Sequence, residues 1–482
     1  MNVLLIYTDQ QQRRTMSAYG NDVALTPNLN QFSQHGVVFE SAVCPQPVCV
    51  PSRCATFTGV NVHTHGVFAN GHPLPRHIPT VAEMVVDHGV RTGYIGKWHM
   101  GREVLPQRGF EEFFHAVDDN YTPAKDLPLY GLSGYGRWLV EKGYAPDQGQ
   151  GAGGWFSRDF AARLPEEHTK PAFISEQACR FLEGRQDEPF LLVCSFLEPH
   201  NPYHSPYDDL HDPDETELPD NFHTEPLPDW PQRNAVFQEW ARTVAHEDGL
   251  RYDTEEKWRG LIARYYGLAH HMDHHVGVIL DKLDALGLRD DTLVIFTSDH
   301  GDMMGSHGMY MKSMMYEESA GVPLLMRGPA IEGGRRIAEP TSQLDLTPTI
   351  LDACGVAPRA ELPGKSLLPL LRGERDEDSE AVAVCEWNGT VQRMFSRLPL
   401  FAGVKGEWIR SIRTRRWKLN VYRDDVSELY DLEQDPGEML NLIHEPARRP
   451  VVEDLFERLR EWQRETNDIV DLPHPLESAE PG

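Results

Sequence analysis

The strongest constraint on this chain is a set of short, continuously apolar runs, each stopping abruptly at polar residues. Val3–Thr8 ends in Asp9-Gln10-Gln11-Gln12. Phe190–Phe196 runs into Glu198-Pro199-His200-Asn201-Pro202, and Thr292–Thr297 ends at Ser298-Asp299-His300-Gly301-Asp302. An alternating strand has one wet face, whereas a strand apolar at every position is covered on both, as in a parallel sheet flanked by helices. Gly36-Val37-Val38-Phe39, Thr92–Gly96 and Val322–Met326 read as further strands. Helical signals lie between them. Thr26-Pro27 opens a helix that Gly36 stops. Thr80 and Glu83 have capping-box spacing ahead of Val81, Met84 and Val85, with Gly89 as the stop. Glu255–Leu286 carries Trp258, Leu261, Ile262, Tyr265, Leu268 and Met272 on one long helical face. This alternation predicts an α/β sheet with helices on both faces. In such sheets, sites form at the carboxyl ends of strands, where Asp9, His200, Asp299 and His300 all fall.

Two stretches read as excursions from that frame. Tyr121 to Trp155 is rich in Gly, Tyr and Pro and includes Gly151-Ala152-Gly153-Gly154; Tyr207 to Pro231 is dense in Asp, Glu and Pro. After about Arg372 the texture changes. Ile412–Tyr422 partly alternates, Glu428-Leu429-Tyr430-Asp431-Leu432 follows, Asp435-Pro436-Gly437 marks a turn, and Val451–Trp462 reads as a terminal amphipathic helix. A main domain over 1–374 and a small antiparallel α+β domain over 375–482 are expected, and 482 residues suffice for both cores. The formal net charge of −28 argues against nucleic acid and against an acidic membrane surface as partners. No stretch is long and apolar enough to span a bilayer, and the N-terminal apolar run is too short for a secretory leader, so a cytoplasmic protein is expected. Seven cysteines form no CxxC pair, which removes zinc-ribbon and thioredoxin readings.

Cys49-Val50-Pro51-Ser52-Arg53-Cys54 places a thiol just before a proline and a helix start. Unpaired N–H groups at a helix N-terminus favour a nucleophile facing an anion. Arg53 lies one turn along the same face. By itself such a cysteine is more often a buried, inert thiol. The longer string through Thr58-Gly59 resembles the type I sulfatase signature, Cys-x-Pro-Ser-Arg followed by Thr-Gly, with Cys49, Pro51, Ser52, Arg53, Thr58 and Gly59 at its fixed positions. Further fragments are similar to that family in the right order. They are Gly96-Lys97-Trp98-His99, Pro199-His200-Asn201-Pro202, Ser298-Asp299-His300-Gly301, Lys312 ahead of Val322-Pro323, and Glu428-Leu429-Tyr430-Asp431-Leu432 with Asp435-Pro436.

The resemblance implies an alkaline-phosphatase-like α/β fold and a formylglycine made from Cys49. A formylglycine-generating enzyme or an anaerobic sulfatase-maturing enzyme would carry out the conversion. One hydroxyl of the hydrated aldehyde attacks sulfur and expels the alcohol; the other loses its proton as the adduct collapses and releases sulfate. It further implies a divalent metal on Asp9, Gln10, Asp299, His300 and the modified Cys49. Gln10 and His300 stand where many sulfatases have Asp and Asn, which keeps Ca2+ first and raises Mn2+, with Mg2+ a further alternative. Arg53 would hold the modified residue, Lys97, His200 and Lys312 the sulfate oxygens, and His99 the proton of the diol. Asn70 is a candidate substrate contact or a turn residue before Gly71. A small sulfate ester or short sulfated sugar is the expected substrate, and assembly into a homo-oligomer stays open. Two rivals remain: a phosphonate monoester hydrolase or phosphodiesterase using the same site, and a non-catalytic metal-binding protein with unconverted Cys49. Outside this constellation, His270, His271, His274 and His275 have i,i+4 zinc-like spacing, but no matching Cys or Glu element is visible in the neighbouring sequence, so a solvated or packing face is expected. Met303, Met304, Met309, Met311, Met314 and Met315 read as an adaptable apolar wall.

Overall fold

The computed structural model describes residues 1–101, 105–111, 113–118, 132–149, 154–184, 187–225, 229–247, 250–389 and 398–477. Eight strands form the main sheet: β1 (Asn2–Asp9), β2 (Val37–Phe39), β3 (Arg91–Gly96), β4 (Phe113–Ala116), β5 (Phe190–Pro199), β6 (Thr292–Ser298), β7 (Leu324–Arg327) and β8 (Arg335–Ile337). Their order is β8-β2-β7-β6-β1-β5-β3-β4. All pairings are parallel except those of β7, which runs antiparallel to β2 and β6. β1 is central and buried along its whole length.

The principal helices are α1 (Pro27–Gln34), α2 (Cys49–Thr58), α3 (Val62–His65), α4 (Val81–Val85), α5 (Gly134–Glu141), α6 (Lys170–Glu183), α7 (Gln232–Thr243), α8 (Glu255–Ala285), α9 (Leu346–Ala353) and α10 (Arg449–Thr466). The period-two pleat of β1 sorts them into two layers. Leu4 and Ile6 face a core with Leu29 and Phe32 of α1, Phe173 and Ile174 of α6, and Met272 and Val276 of α8. Val3, Leu5 and Tyr7 face the opposite core, with Phe57 of α2, Val81 and Val85 of α4, and Leu346 and Ile350 of α9. Each such side chain contributes roughly 1.5–3 kcal/mol on burial, which is why a strand apolar at every position is stable here. The Thr80–Glu83 capping box forms as read, and Gly89 closes that helical segment with φ 75°.

The stretch 121–155 is in part a correction. Residues 121–131 and 150–153 lie outside the described residues, but α5 is a helix capped by Ser133, and it buries Tyr135, Trp138 and Leu139. Aromatic residues spaced through a Gly-rich segment pack as a helix once Phe173 of α6 supplies a partner. α7, beside the acidic, Pro-rich stretch, is a further helix; it buries Phe237, Trp240 and Ala241.

Four antiparallel strands follow: β9 (Ala383–Asn388), β10 (Trp408–Arg413), β11 (Trp417–Tyr422) and β12 (Glu428–Asp431). One face, with Ile412, Leu419, Val421 and Leu429, packs on Val452, Leu455 and Leu459 of α10. The other, with Trp387, Ile409, Tyr422 and Tyr430, joins the core of the main body. Among the described residues no helix is long and apolar enough to cross a membrane.

Candidate active site

The carboxyl ends of β1, β5 and β6 and the N-terminus of α2 meet at one point. Asp9 ends β1; just after it, Gln10 takes a left-handed backbone, φ 68°, that turns the chain across the strand ends. Gly96 ends β3 at φ 117°, where a Cβ would come within 1.8 Å of Ser195 O, so only glycine brings Lys97 over the sheet. α2 has no side-chain cap of its own; Asn70 Oδ1 accepts from Val50 N at 3.1 Å and steadies its first turn. Asn70 thus takes a backbone-holding position beside Cys49.

Cys49 Sγ lies 3.0 Å from Lys312 Nζ, 3.4 Å from His300 Nε2 and 3.8 Å from Asp9 Oδ1. Arg53 donates to Asp9 Oδ2 at 3.0 Å and to Asp299 Oδ2 at 2.9 Å, and Lys97 Nζ is 2.6 Å from Asp9 Oδ2. His200 Nε2 is 3.9 Å from Asp9 Oδ1. Cys49 favours the charged forms of His99 and His200, against their burial. Asp9, Cys49, Arg53, Lys97, Asp299 and His300 are wholly buried, while His99, His200 and Lys312 keep 5–6% exposure, so solvent reaches the group on the side of those three.

One oxygen of each carboxylate is held by cations and the other faces the gap beside Cys49. Asp299 Oδ1 lies 3.5 Å from His300 Nε2, and the ligand-capable atoms of Asp9, Cys49, Asp299 and His300 all fall within 4.8 Å of one another. Buried carboxylate oxygens with one imidazole nitrogen suit a divalent metal, so these residues fit the ion that the family implies. Gln10 stands at the edge of this group. Its Oε1 accepts from Lys312 Nζ at 2.8 Å, and its Nε2 donates to Tyr203 Oη at 3.2 Å and to Asp302.

The charges set the protonation states. Burial and the Asp9 carboxylate push the Cys49 thiol up, but Lys312, Lys97 and His300 outweigh them and hold it well below its ordinary range. Asp9 lies well below the usual carboxylate range despite burial, because Lys97, His200, Arg53 and Lys312 surround it. Burial first and Asp9 second push Asp299 up to about 6. Burial, aided by Lys97, lowers His99 to about 4; burial, aided by Lys312 and Lys97, lowers His200 to about 3. Both imidazoles are thus neutral at neutral pH.

The sulfatase family model matches residues 1–356, well over half of the chain. The chain belongs to the sulfatase family. A second model, for the C-terminal part of N-sulphoglucosamine sulphohydrolase, matches residues 305–465. The N-acetylglucosamine-6-O-sulfatase of Bacteroides thetaiotaomicron is 25% identical, over 97% of this chain and 87% of that protein. The choline-sulfatase of Rhizobium meliloti is 29% identical, over 97% and 88%. Among solved structures, the phosphonate monoester hydrolase of Agrobacterium radiobacter superimposes with a TM-score of 0.76 at 26% identity, covering 96% of both chains. The alkaline-phosphatase-like fold expected from the motifs is the fold found, and a divalent metal and a formylglycine are the family's equipment.

Several residues that build this sulfatase centre take roles that no local sequence signal assigns. Ser195 Oγ accepts from Arg53 Nη1 at 2.9 Å and donates to Lys97 O at 2.9 Å, tying β5 to both cations. Ser52 Oγ donates to Asp299 O at 2.6 Å, while Gln343 Oε1 lies 3.1 Å from Ser52 Oγ and Gln343 Nε2 donates to Ser298 O. Tyr265 of α8 donates to Gln10 O at 2.7 Å. Ser52 in the signature around Cys49, Ser195 in the Phe190–Phe196 run, Tyr265 on the long helical face and Asp302, which accepts from the Gln10 amide, all lie in strings legible in the sequence; Gln343 lies in none.

Proposed function

We propose that the chain hydrolyses a sulfate monoester, R–O–SO3⁻, to an alcohol and inorganic sulfate at a formylglycine made from Cys49. The observation that carries this reading is Cys49 at the head of α2, 3.0 Å from Lys312 and 3.4 Å from His300, above the Asp9–Arg53–Asp299 group. The converted residue supplies a geminal diol as nucleophile, and a divalent metal supplies a Lewis acid that polarises a sulfate oxygen and eases deprotonation. Asp9, Gln10, Asp299 and His300, with the oxygen at position 49, hold that metal; Ca2+ suits the oxygens, and the His300 nitrogen favours Mn2+ over Mg2+. Arg53 bridges the two carboxylates and steadies position 49. Lys97, His200 and Lys312 balance charge on the sulfate oxygens as it develops. His99 accepts the diol proton, and Lys312, or His200 once it has taken up a proton, protonates the leaving oxygen.

The alcohol half is a small group or a short sugar, a reading supported by the relatives that are a choline-sulfatase and an N-acetylglucosamine-6-O-sulfatase. The separate four-stranded sheet with α10 supports a domain boundary near 374. Seven free cysteines suit a reducing, cytoplasmic setting. A maturation enzyme for Cys49 and self-assembly belong to the same reading. The test pairs the mass of the Cys49 peptide with parallel rates on an aryl sulfate and an aryl phosphonate monoester. The expected outcome is a mass loss from conversion of the thiol, with activity scaling with the converted fraction and favouring sulfate. Full turnover by protein carrying only a thiol would overturn the mechanism.

The phosphonate monoester reading is kept as second, favoured by the Agrobacterium radiobacter structure. Preference for the phosphonate in the same assay would select it.

A further inference from the structure

Away from the sulfatase centre, α8 carries the four histidines whose spacing suggested zinc, and the fold separates their roles. His270 Nδ1 meets Leu25 O at 2.7 Å, and His271 Nε2 meets Thr169 Oγ1 at 3.1 Å, so these two are committed elsewhere. The carboxylate missing from the neighbouring sequence is supplied by tertiary structure. Glu166, in the turn leading into α6, joins His274 and His275, and the ligand-capable atoms of the three all lie within 4.8 Å of one another.

The tautomer of His275 follows from its neighbour. Ser175 Oγ has one proton and donates it to Ala172 O at 3.0 Å, so at 2.9 Å it accepts from His275 Nδ1. The lone pair is left on Nε2. That nitrogen is buried with no hydrogen-bond partner among the described residues, in a side chain that is only 6% exposed. An imidazole pinned at one nitrogen by a hydrogen bond, with the other bare, is the state a metal-ligating histidine adopts. An ordinary ion pair explains His274 Nε2 at 3.5 Å from Glu166 Oε1, and Tyr207 Oη donates to the same oxygen at 2.8 Å. It leaves the orphaned His275 nitrogen unexplained. The 3.5 Å separation also matches the edge of a tetrahedron: ligands about 2.0–2.2 Å from Zn2+ stand ~3.4 Å apart.

We propose that Glu166, His274 and His275 form a second metal site, for a borderline divalent transition metal such as Zn2+, with a water in the fourth position. The metal ties the turn ahead of α6 to α8, two of the helices that cover one face of the sheet. The test uses the full chain, dialysed against buffered Zn2+, with metal content measured for wild type, E166Q, H274A and the centre variant D299N. Glu166 and His274 keep 39% and 48% side-chain exposure, so both substitutions leave the fold intact. Wild type and D299N are expected to hold one more equivalent through this site than matched proteins carrying E166Q or H274A. Added Zn2+ should raise the Tm of D299N but not that of D299N/E166Q, while E166Q and H274A keep wild-type turnover of an aryl sulfate. Equal Zn2+ content in wild type, E166Q and H274A overturns the site, as does loss of the equivalent only on H270A or H271A.

Discussion

Position 49 is held where a thiol gains nothing structurally from its surroundings. Its sulfur faces Lys312, His300 and Asp9, not apolar atoms. Cys49→Ala should therefore abolish turnover while shifting stability by about 1 kcal/mol, read from urea midpoints; a variant with normal turnover would remove Cys49 from the chemistry. Lys312 tests the charge ring more finely. It contacts both Cys49 and Gln10 and sits on the exposed side of the site. Lys312→Ala is expected to lower kcat by about 10²–10³-fold, as removing one preorganised donor does elsewhere, with a smaller change in KM. A change in KM alone would assign Lys312 to ground-state binding.

Among the elements, α2 and α3 show how a local sequence is recruited by distant ones. α2 ends cleanly at Gly59, φ 73°, but its N-terminus depends on Asn70. α3 is a single turn held by β9: Glu386 accepts from Val62 N at 2.9 Å and from His63 N at 3.1 Å, and it pairs with the His63 ring at 3.0 Å. Burial opposes charge on His63, but the Glu386 partner prevails and raises it above its ordinary value of 6.5. A raised histidine stabilises the fold fully below its unfolded value and loses that contribution as pH rises through the folded one. The urea midpoint of wild type is therefore expected to fall as pH climbs beyond 6.5, and His63→Asn to flatten that slope. An unchanged slope in the variant would show that another group sets it.

Across the whole molecule, the smaller sheet is tied to the catalytic body by buried charge as well as by apolar contact. Glu317, five residues after Lys312, pairs with Arg13 at 2.8 Å, Arg413 at 3.2 Å and Lys418 at 3.3 Å. Glu438 pairs with Lys418 at 2.8 Å and accepts from Glu317 N at 2.6 Å. Glu317→Gln leaves Arg413 and Lys418 short of their counter-charge in a dry interface. About 3–5 kcal/mol of destabilisation is expected, measured by denaturant unfolding. Activity should fall with it, because the segment from Lys312 to Glu317 loses its anchor; a variant as stable as wild type would show the joint to be apolar in origin.

Of the methionines near the site, Met303, Met304, Met309, Met314 and Met315 are buried in the core and Met311 packs against it partly buried. Apolar runs, caps and stops belong to single segments, since pleat, period and backbone freedom act over a few residues. The sequence by itself therefore determined the strands, the long helix, the strand-end clustering of Asp9, His200 and Asp299-His300, and the motif around Cys49. It could not determine which groups from distant segments would share a lone pair or a charge. Ser195 under Arg53, Gln343 behind Asp299, Glu386 beneath α3 and Glu166 facing His274 are each ordinary polar residues locally. They acquire a role only when the chain folds, because a buried polar atom must find a partner and its partner is chosen by space, not by order along the chain.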